Sequence, residues 1–456
     1  MNVKNSIFYS TAILLASMGI TPASQALDAG TLIQPSLDRI QQRVEGQAER
    51  QIEHRTERQI EKTIKRRAEQ ALQPLDAMLP NAPIKLPARL PVLSPDGSES
   101  FADVQVEGGW RAVEGQWLVM IDADDLNQLD QPGIHIIDQT RLAELGLRIV
   151  RFRVDSDLDS RAALTRILPA ALVERLDRNH IYRPQGETGS AGHSQATPGA
   201  ACDNKVTIGM VDTAIQTDHP SFAGAHIIQK HFVDNARLAK PFREPEAHGT
   251  AVASLLVGQG PDRAVAQLPG ATLVNASVFY SRKQLASGAT LLHLIKGLNW
   301  LVSQHVDLIN ISMAGPDNRL LAKVIERVSA DGVPLVAAVG NDGPAAPPLY
   351  PAAYPDVVGV TAVDSHHQIY RWANQGDQVD FAADGVDVSV AQSDGGFTRL
   401  SGTSMATPMV TAQLACHLAS SRASLPDLIR QLADQALDLG ESGRDPVFGY
   451  GALATD

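Results

Sequence analysis

The sequence predicts an α/β protein whose main domain is a mostly parallel sheet covered by helices on both faces. A small α+β domain and a long N-terminal helix precede it. Three observations carry this reading. From Cys202 onward, short apolar strand candidates alternate with helical stretches, the pattern of a buried parallel sheet. Between Phe101 and Pro184, strand-like runs flank one short helix candidate. From Ser36 to Gln73 the chain is strongly polar and favours helix. At 456 residues the chain has room for two or three domains.

Residues 1–26 read as an export signal. Lys4 lies in a short polar start, Thr11 to Ile20 forms an apolar core, and Ser24-Gln25-Ala26 offers small residues before a cut ahead of Leu27. The expected destination is the periplasm or the cell exterior. Residues 27–73 form a charged helical segment, in which Leu37, Ile40, Val44, Ile52, Ile60, Ile64 and Leu72 make a thin apolar stripe. That stripe suits a solvated helix, self-association or a protein partner. Residues 74–100 are proline-rich and predict an extended, semi-rigid linker.

Residues 101–185 are the small α+β domain. Strands are expected over Gln116 to Asp122, Arg148 to Val154 and Asn179 to Tyr182, with a helix over Ser160 to Leu168. Residues 186–201 are small and polar, an exposed segment suited to proteolytic processing. Residues 202–456 form the main domain. Its strands are expected over Val206 to Val211, Thr272 to Val278, Leu308 to Ser312, Leu335 to Val339 and Val357 to Ala362. Its helices include Ala289 to Gln304 and Leu320 to Ala330. Sites in such sheets form at the carboxyl ends of the strands.

Charge narrows the function. A net charge of -12 argues against a nucleic-acid partner, which would need a basic surface. No apolar run reaches the ~18 residues of a membrane span, so none is expected once the signal is removed.

Three motifs converge on one chemistry. Asp212 ends an apolar strand in VTIGMVDTA. His248 opens a helix in HGTAVASLL. Ser404 sits in SGTSMATP, on a glycine-led turn at a helix start, where free N–H groups favour a developing oxyanion. A serine hydroxyl needs a base within hydrogen-bond reach, and histidine titrates near the working pH. A buried carboxylate then fixes the imidazole tautomer and stabilises the imidazolium.

On these motifs, in the order Asp, His, Ser, the segment from about Lys205 to Gly451 resembles the catalytic domain of the subtilisin-like serine proteases, the subtilases. The resemblance implies a seven-stranded parallel sheet in a three-layer α/β/α sandwich, and endopeptidase action on polypeptides. It implies Asp212, His248 and Ser404 as the triad and Asn341, in VAAVGNDG, as the side-chain donor of the oxyanion hole. Ser312, Met313, Ala314 and Gly315 match the segment that pairs with an extended substrate. Leu349 falls at the floor of the primary specificity pocket, where relatives often have a small residue, so small side chains are expected before the scissile bond. By analogy the 101–185 domain is an inhibitory prodomain released by self-cleavage between Gln185 and Ala201. Ala214, Ser254 and Ala314 stand where the family usually has glycine, which bears on local packing. The family's calcium-binding loop is not evident between Gly258 and Pro269, so no metal site is identified, calcium stays open, and no other cofactor is expected.

The remaining features bear less on chemistry. Cys202 precedes the first strand and Cys416 lies three turns into the serine helix. A bridge between them fits this placement, and two free cysteines, with Cys416 packed as a small apolar residue, are the alternative. His219, His226, His231, His305, His366 and His367 lack metal-ligand spacing. The glycosylation patterns at Asn275 and Asn310 fall in core segments. The rival to an enzyme is an exported binding protein acting through the 36–73 helix, with an inactive protease domain.

Overall fold

The computed structural model describes residues 86–93, 98–188, 202, 204–233, 244–260, 266–281, 287–421 and 423–453. The expected signal, the 27–73 helix and most of the processing segment lie outside the described residues. Every described strand and helix lies within residues 83–456.

The small domain begins with an antiparallel sheet. The strands are β1 (Arg89–Leu93), β2 (Glu99–Gln105), β3 (Arg111–Met120), β4 (Ile134–Leu142), β5 (Leu147–Val154) and β6 (Leu176–Pro184). β3 is the hub: one edge pairs first with β2 and then with β5, and the other edge with β6. Helices α1 (Arg161–Ile167) and α2 (Ala170–Val173) cover one face. The Ser160 side chain caps α1 by accepting the N–H of Ala163 at 3.1 Å, which starts the helix one residue later than expected. Leu164 and Leu172 from these helices pack on Trp117, Val119, Val150 and Phe152. β7 (Glu187–Thr188) follows just beyond β6.

The expected linker is not free over Arg89–Leu93, which is β1, paired antiparallel with β2. Val92 is buried, and Pro91 is tolerated because β1 lies at the sheet edge, where a missing N–H costs no ladder bond. β2 and β4 carry few consecutive apolar residues and are not expected from the sequence.

The main domain holds the parallel sheet. Its strands are β8 (Thr207–Asp212), β9 (His226–His231), β10 (Thr272–Ser277), β13 (Leu308–Ile311), β15 (Leu335–Ala338), β16 (Val357–Val363) and β17 (Phe381–Asp384). Between β10 and β13 come the short β11 (Phe279–Ser281) and β12 (Ser287–Thr290), and β14 (Met313–Ala314) follows β13. The order is β17-β16-β15-β13-β8-β10-β9, seven strands, all parallel. The central strands are buried along nearly their whole length because both faces are covered. The two edge strands, β9 and β17, are not expected from the sequence. β9 (HIIQKH) is half exposed and polar, and β17 has only four residues.

Helices α3 (Ala247–Leu256), α6 (Thr403–Ser420) and α7 (Leu425–Ala433) pack on one face through Val252, Leu256, Met405, Val410 and Leu428. Helices α4 (Leu291–Ser303) and α5 (Arg319–Ala330) pack on the other through Leu294, Leu298, Leu321 and Val324. This makes a three-layer α/β/α sandwich. Helix α4 starts two residues later than expected because Thr290 is its cap, accepting the His293 N–H, while Ser287–Thr290 is strand. Leu118, Leu142 and Ile149 of the small domain join the α4 and α5 face of the core. An antiparallel hairpin, β18 (Val388–Gln392) and β19 (Gly396–Ser401), leads into α6.

Cys202 is joined to Cys416 on α6 as a disulfide, with Cα atoms 5.9 Å apart and a sequence separation of 214. Ser254 fills its site with its hydroxyl: Oγ donates to the carbonyl of Ala251 and accepts the N–H of Ala391 in β18.

Candidate active site

Each functional side chain is set by an element end. Asp212 closes β8 with its side chain fully buried, and Oδ1 accepts the N–H of Thr213 at 2.6 Å. His248 is the second residue of α3. Its Nδ1 lies 2.8 and 3.0 Å from the two carboxylate oxygens of Asp212. The carboxylate can only accept, so Nδ1 carries the ring proton and Nε2 presents its lone pair. That Nε2 is buried and has no hydrogen-bond partner among the described residues. Gly249 must be glycine, because a Cβ would stand 2.5 Å from the Thr213 carbonyl oxygen, and α3 could not come this close to β8.

Ser404 is the second residue of α6. Pro408, four residues on, has no N–H to give the Ser404 carbonyl. Ser312 Oγ supplies the missing donor at 3.2 Å and itself accepts from Asn310 Nδ2. The nucleophile's backbone is therefore held from β13 as well as by its own helix.

The cleft between these elements is filled by the chain itself. β6 runs through it as an extended strand, with Arg183 opposite Ala314 and Pro184 opposite Met313 on one side. Tyr182 stands opposite Ala289 on the other. The Gln185 N–H donates to the Ser312 carbonyl at 3.3 Å. The carbonyl oxygen of Gln185 accepts three hydrogen bonds: from the Ser404 N–H at 3.0 Å, from Asn341 Nδ2 at 2.9 Å, and from Ser404 Oγ. A Cβ on Gly186 would lie 2.9 Å from Ser404 Oγ and 3.1 Å from His248 Nε2. The Gln185–Gly186 peptide thus lies across the triad. Beyond it, Glu187 and Thr188 of β7 pair with Ser401 and Leu400 of β19.

Two further residues shape the pocket around the Gln185 carbonyl oxygen. Thr403 donates its N–H and its hydroxyl to Asn341 Oδ1, at 3.1 and 2.9 Å, which turns Nδ2 toward Gln185. Gly402 has φ of 149°, and a Cβ there would stand 2.4 Å from the Gln185 carbonyl oxygen. Both are part of SGTSMATP, but the motif by itself gives only the nucleophile's turn.

Of the other predicted cleft residues, Gly315 meets the strand. Gly315 lies beneath the ring of the wholly buried Tyr182, whose hydroxyl donates to the Pro316 carbonyl. Burial pushes the Tyr182 phenol well above its usual pKa. Leu349 is buried, with Cδ1 over Gly340, where a Cβ would come within 2.4 Å. Gln185 is also buried. Its side-chain Oε1 accepts the Asn341 N–H at 2.8 Å, and Nε2 turns back to the Arg183 carbonyl at 3.2 Å. Among the described residues, no three His, Cys, Asp or Glu side chains are grouped to hold a metal ion, and no helix is long and apolar enough to cross a membrane. Asn275 and Asn310 are fully buried, so their glycosylation patterns are chance matches.

A family model described as the subtilase family matches residues 203–451, more than half of the chain. The chain belongs to the subtilase family. Among its curated relatives, the minor extracellular protease Epr of Bacillus subtilis (strain 168) is 29% identical over 268 residues, 57% of this chain and 39% of that protein. Subtilisin E of the same strain is 29% identical over 234 residues, 50% of this chain and 58% of that protein. Halolysin of Haloferax mediterranei is 31% identical over 263 residues, 56% of this chain and 50% of that protein. The chain spans between about two fifths and three fifths of the length of these relatives. The three-layer sandwich is thus the subtilase fold, with a second domain folded against it.

Proposed function

We propose that this chain is a serine endopeptidase, made as a zymogen whose residues up to Gln185 form the inhibitory prodomain and whose first substrate is its own Gln185–Gly186 bond. The observation that carries the proposal is the triple hydrogen bond on the Gln185 carbonyl oxygen, from Ser404 N–H, Ser404 Oγ and Asn341 Nδ2. In this reading Ser404 Oγ attacks the Gln185 carbonyl carbon while His248 Nε2 takes the hydroxyl proton. Negative charge gathers on the oxygen that the two N–H donors already hold, and Asp212 stabilises the imidazolium. His248 then gives its proton to the Gly186 nitrogen, the peptide bond breaks, and an acyl-enzyme at Gln185 is left. Water, activated by the same histidine, releases the acid and restores Ser404.

Other polypeptides would follow the path of β6, between β12 and β14, as extended strands. For the residue before the scissile bond we propose an upper limit on size. Leu349 occupies the space beside Gly340, and Gln185 folds its amide back instead of extending. Small residues, and glutamine in this bent form, suit that pocket, so strong cleavage after Phe or Leu in a peptide library would contradict it. Export is also proposed: residues 1–26 have the composition of a signal, and the relative Epr is described as extracellular. The assembly of Asp212, His248, Ser404 and Asn341 around one peptide favours an enzyme over an inactive binding protein. A fluorophosphonate probe tests this. Labelling of the wild-type chain and none of Ser404→Ala is expected, and no labelling of either overturns the reading.

A further inference from the structure

We infer that Asp342 makes this cleft selective for a basic residue two positions before the residue that is cleaved, the place Arg183 holds in the chain's own junction. The inference rests on the peptidase reading and names the substrate class that the site favours. In an extended strand, side chains alternate, so Gln185 and Arg183 lie on one face and Pro184 on the other. On that face the Arg183 guanidinium Nη2 reaches both carboxylate oxygens of Asp342, at 3.2 and 3.1 Å.

The Asp342 backbone is held by contacts that do not involve the β6 strand. Asp342 follows Asn341 directly, so the turn that aims the oxyanion donor also aims this carboxylate. Its N–H donates to Asn374 Oδ1 at 2.9 Å, and the next residue, Gly343, donates its N–H to the Trp372 carbonyl. Asn374 is fully buried and locked in turn: its N–H goes to the Gly340 carbonyl and its Nδ2 to the Pro347 carbonyl. A carboxylate on so rigid a turn loses little freedom when it pairs, unlike one on a mobile loop. Among the described ion pairs, the partner of Asp342 is Arg183.

The pair is partly open, with side-chain exposures of 38% for Arg183 and 27% for Asp342. Its effect should therefore be that of a screened surface pair, about fivefold at low salt and less at high salt. It is nonetheless directional, because a carboxylate substrate at the same position meets repulsion instead of attraction.

The test compares three fluorogenic peptides, Tyr-Arg-Pro-Gln, Tyr-Ala-Pro-Gln and Tyr-Glu-Pro-Gln, each continued by Gly-Glu-Thr, on the processed enzyme. Wild type should show kcat/KM in the order Arg, Ala, Glu, with about fivefold between the first two at low ionic strength. Asp342→Asn should flatten the series, and Asp342→Arg should invert it. Equal cleavage of all three by wild type overturns the inference while leaving the peptidase reading intact. An Arg preference that survives in Asp342→Arg does the same. If no peptide is cleaved and the fluorophosphonate fails to label Ser404, the peptidase reading falls and the inference with it. If labelling succeeds without cleavage, the site does not accept its own junction sequence: the inference falls, self-cleavage at Gln185 falls with it, and only the reactive-serine reading stands.

Discussion

Asn341 and Thr403 divide one task between them. Asn341 Nδ2 donates to the Gln185 carbonyl oxygen, and Thr403 holds Asn341 through its other amide atom. Asn341→Ala should lower kcat on a peptide substrate by about 10²–10³-fold, the range found when this kind of donor is removed in subtilisin. Thr403→Val keeps the volume and the backbone N–H but removes the hydroxyl donor. Its kcat should fall by about tenfold with KM little changed, because the loss is one of aim, and the melting temperature should fall modestly because the same hydroxyl accepts the buried Gly340 N–H. Stopped assays of kcat and KM beside thermal melts of both variants separate the two cases. At this scale the grouping of Asp212, His248, Ser404 and Asn341 around one peptide is legible in the sequence, since their motifs fix both residue type and element end. Thr403, Gly402 and Asp342 are not. Their roles depend on what lies opposite them across the cleft, and nothing in a linear motif says that Gln185 is there.

At the scale of elements, β6 is the decisive one. It is a strand of the small domain at its start and runs on to the peptide that lies across Ser404 and His248. His180 marks the crossing. Its Nδ1 lies 2.9 Å from Asn318 Nδ2, the residue that caps α5, so Nδ1 accepts and the ring is neutral. Burial outweighs the neighbouring Asp177 and Glu107 charges and pulls the imidazole pKa down to about 4. The unfolded chain would titrate near 6.5, so between these values the unfolded state binds more protons. Stability should therefore fall as pH drops from 6.5 toward 4, by on the order of 3 kcal/mol at most from this group, and then level off. Denaturant melts of uncleaved Ser404→Ala across that window check the direction, and His180→Asn should remove much of the slope. An unchanged slope in that variant would assign it to other groups. The sequence allows only the middle of β6, Asn179 to Tyr182, to be read as a strand. Its extension to Pro184 depends on β12 and β14, partners over a hundred residues away. β9 and β17 escape for a similar reason, since an edge strand is specified by its neighbour more than by its own apolar pattern.

For the whole molecule, the large domain is legible because alternating apolar strands and helices leave few other ways to bury both faces of a parallel sheet. How the small domain docks is not. Leu118, Leu142 and Ile149 read as local core, yet they pack on α4 and α5 of the other domain. Two links thus join the parts: this apolar face, and β6 threaded through the cleft. Cutting at Gln185 breaks the chain but neither set of contacts, so the released domain should remain bound as an inhibitor. The Cys202–Cys416 bridge acts on the far side of that cut, tying the start of the mature chain to the helix that carries Ser404. Replacing both cysteines by serine should cost the processed enzyme about 2–4 kcal/mol in denaturant unfolding, by freeing a long loop in the unfolded chain.

The central claim is that Ser404 cleaves the bond lying across it. Intact-mass measurement and end sequencing of the purified full-length chain, beside its Ser404→Ala variant, test that most directly. The wild type should yield a leading fragment that ends at Gln185, while the variant keeps the Gln185–Gly186 bond whole. A leading fragment with any other end, or the same cut in purified Ser404→Ala, would contradict the account.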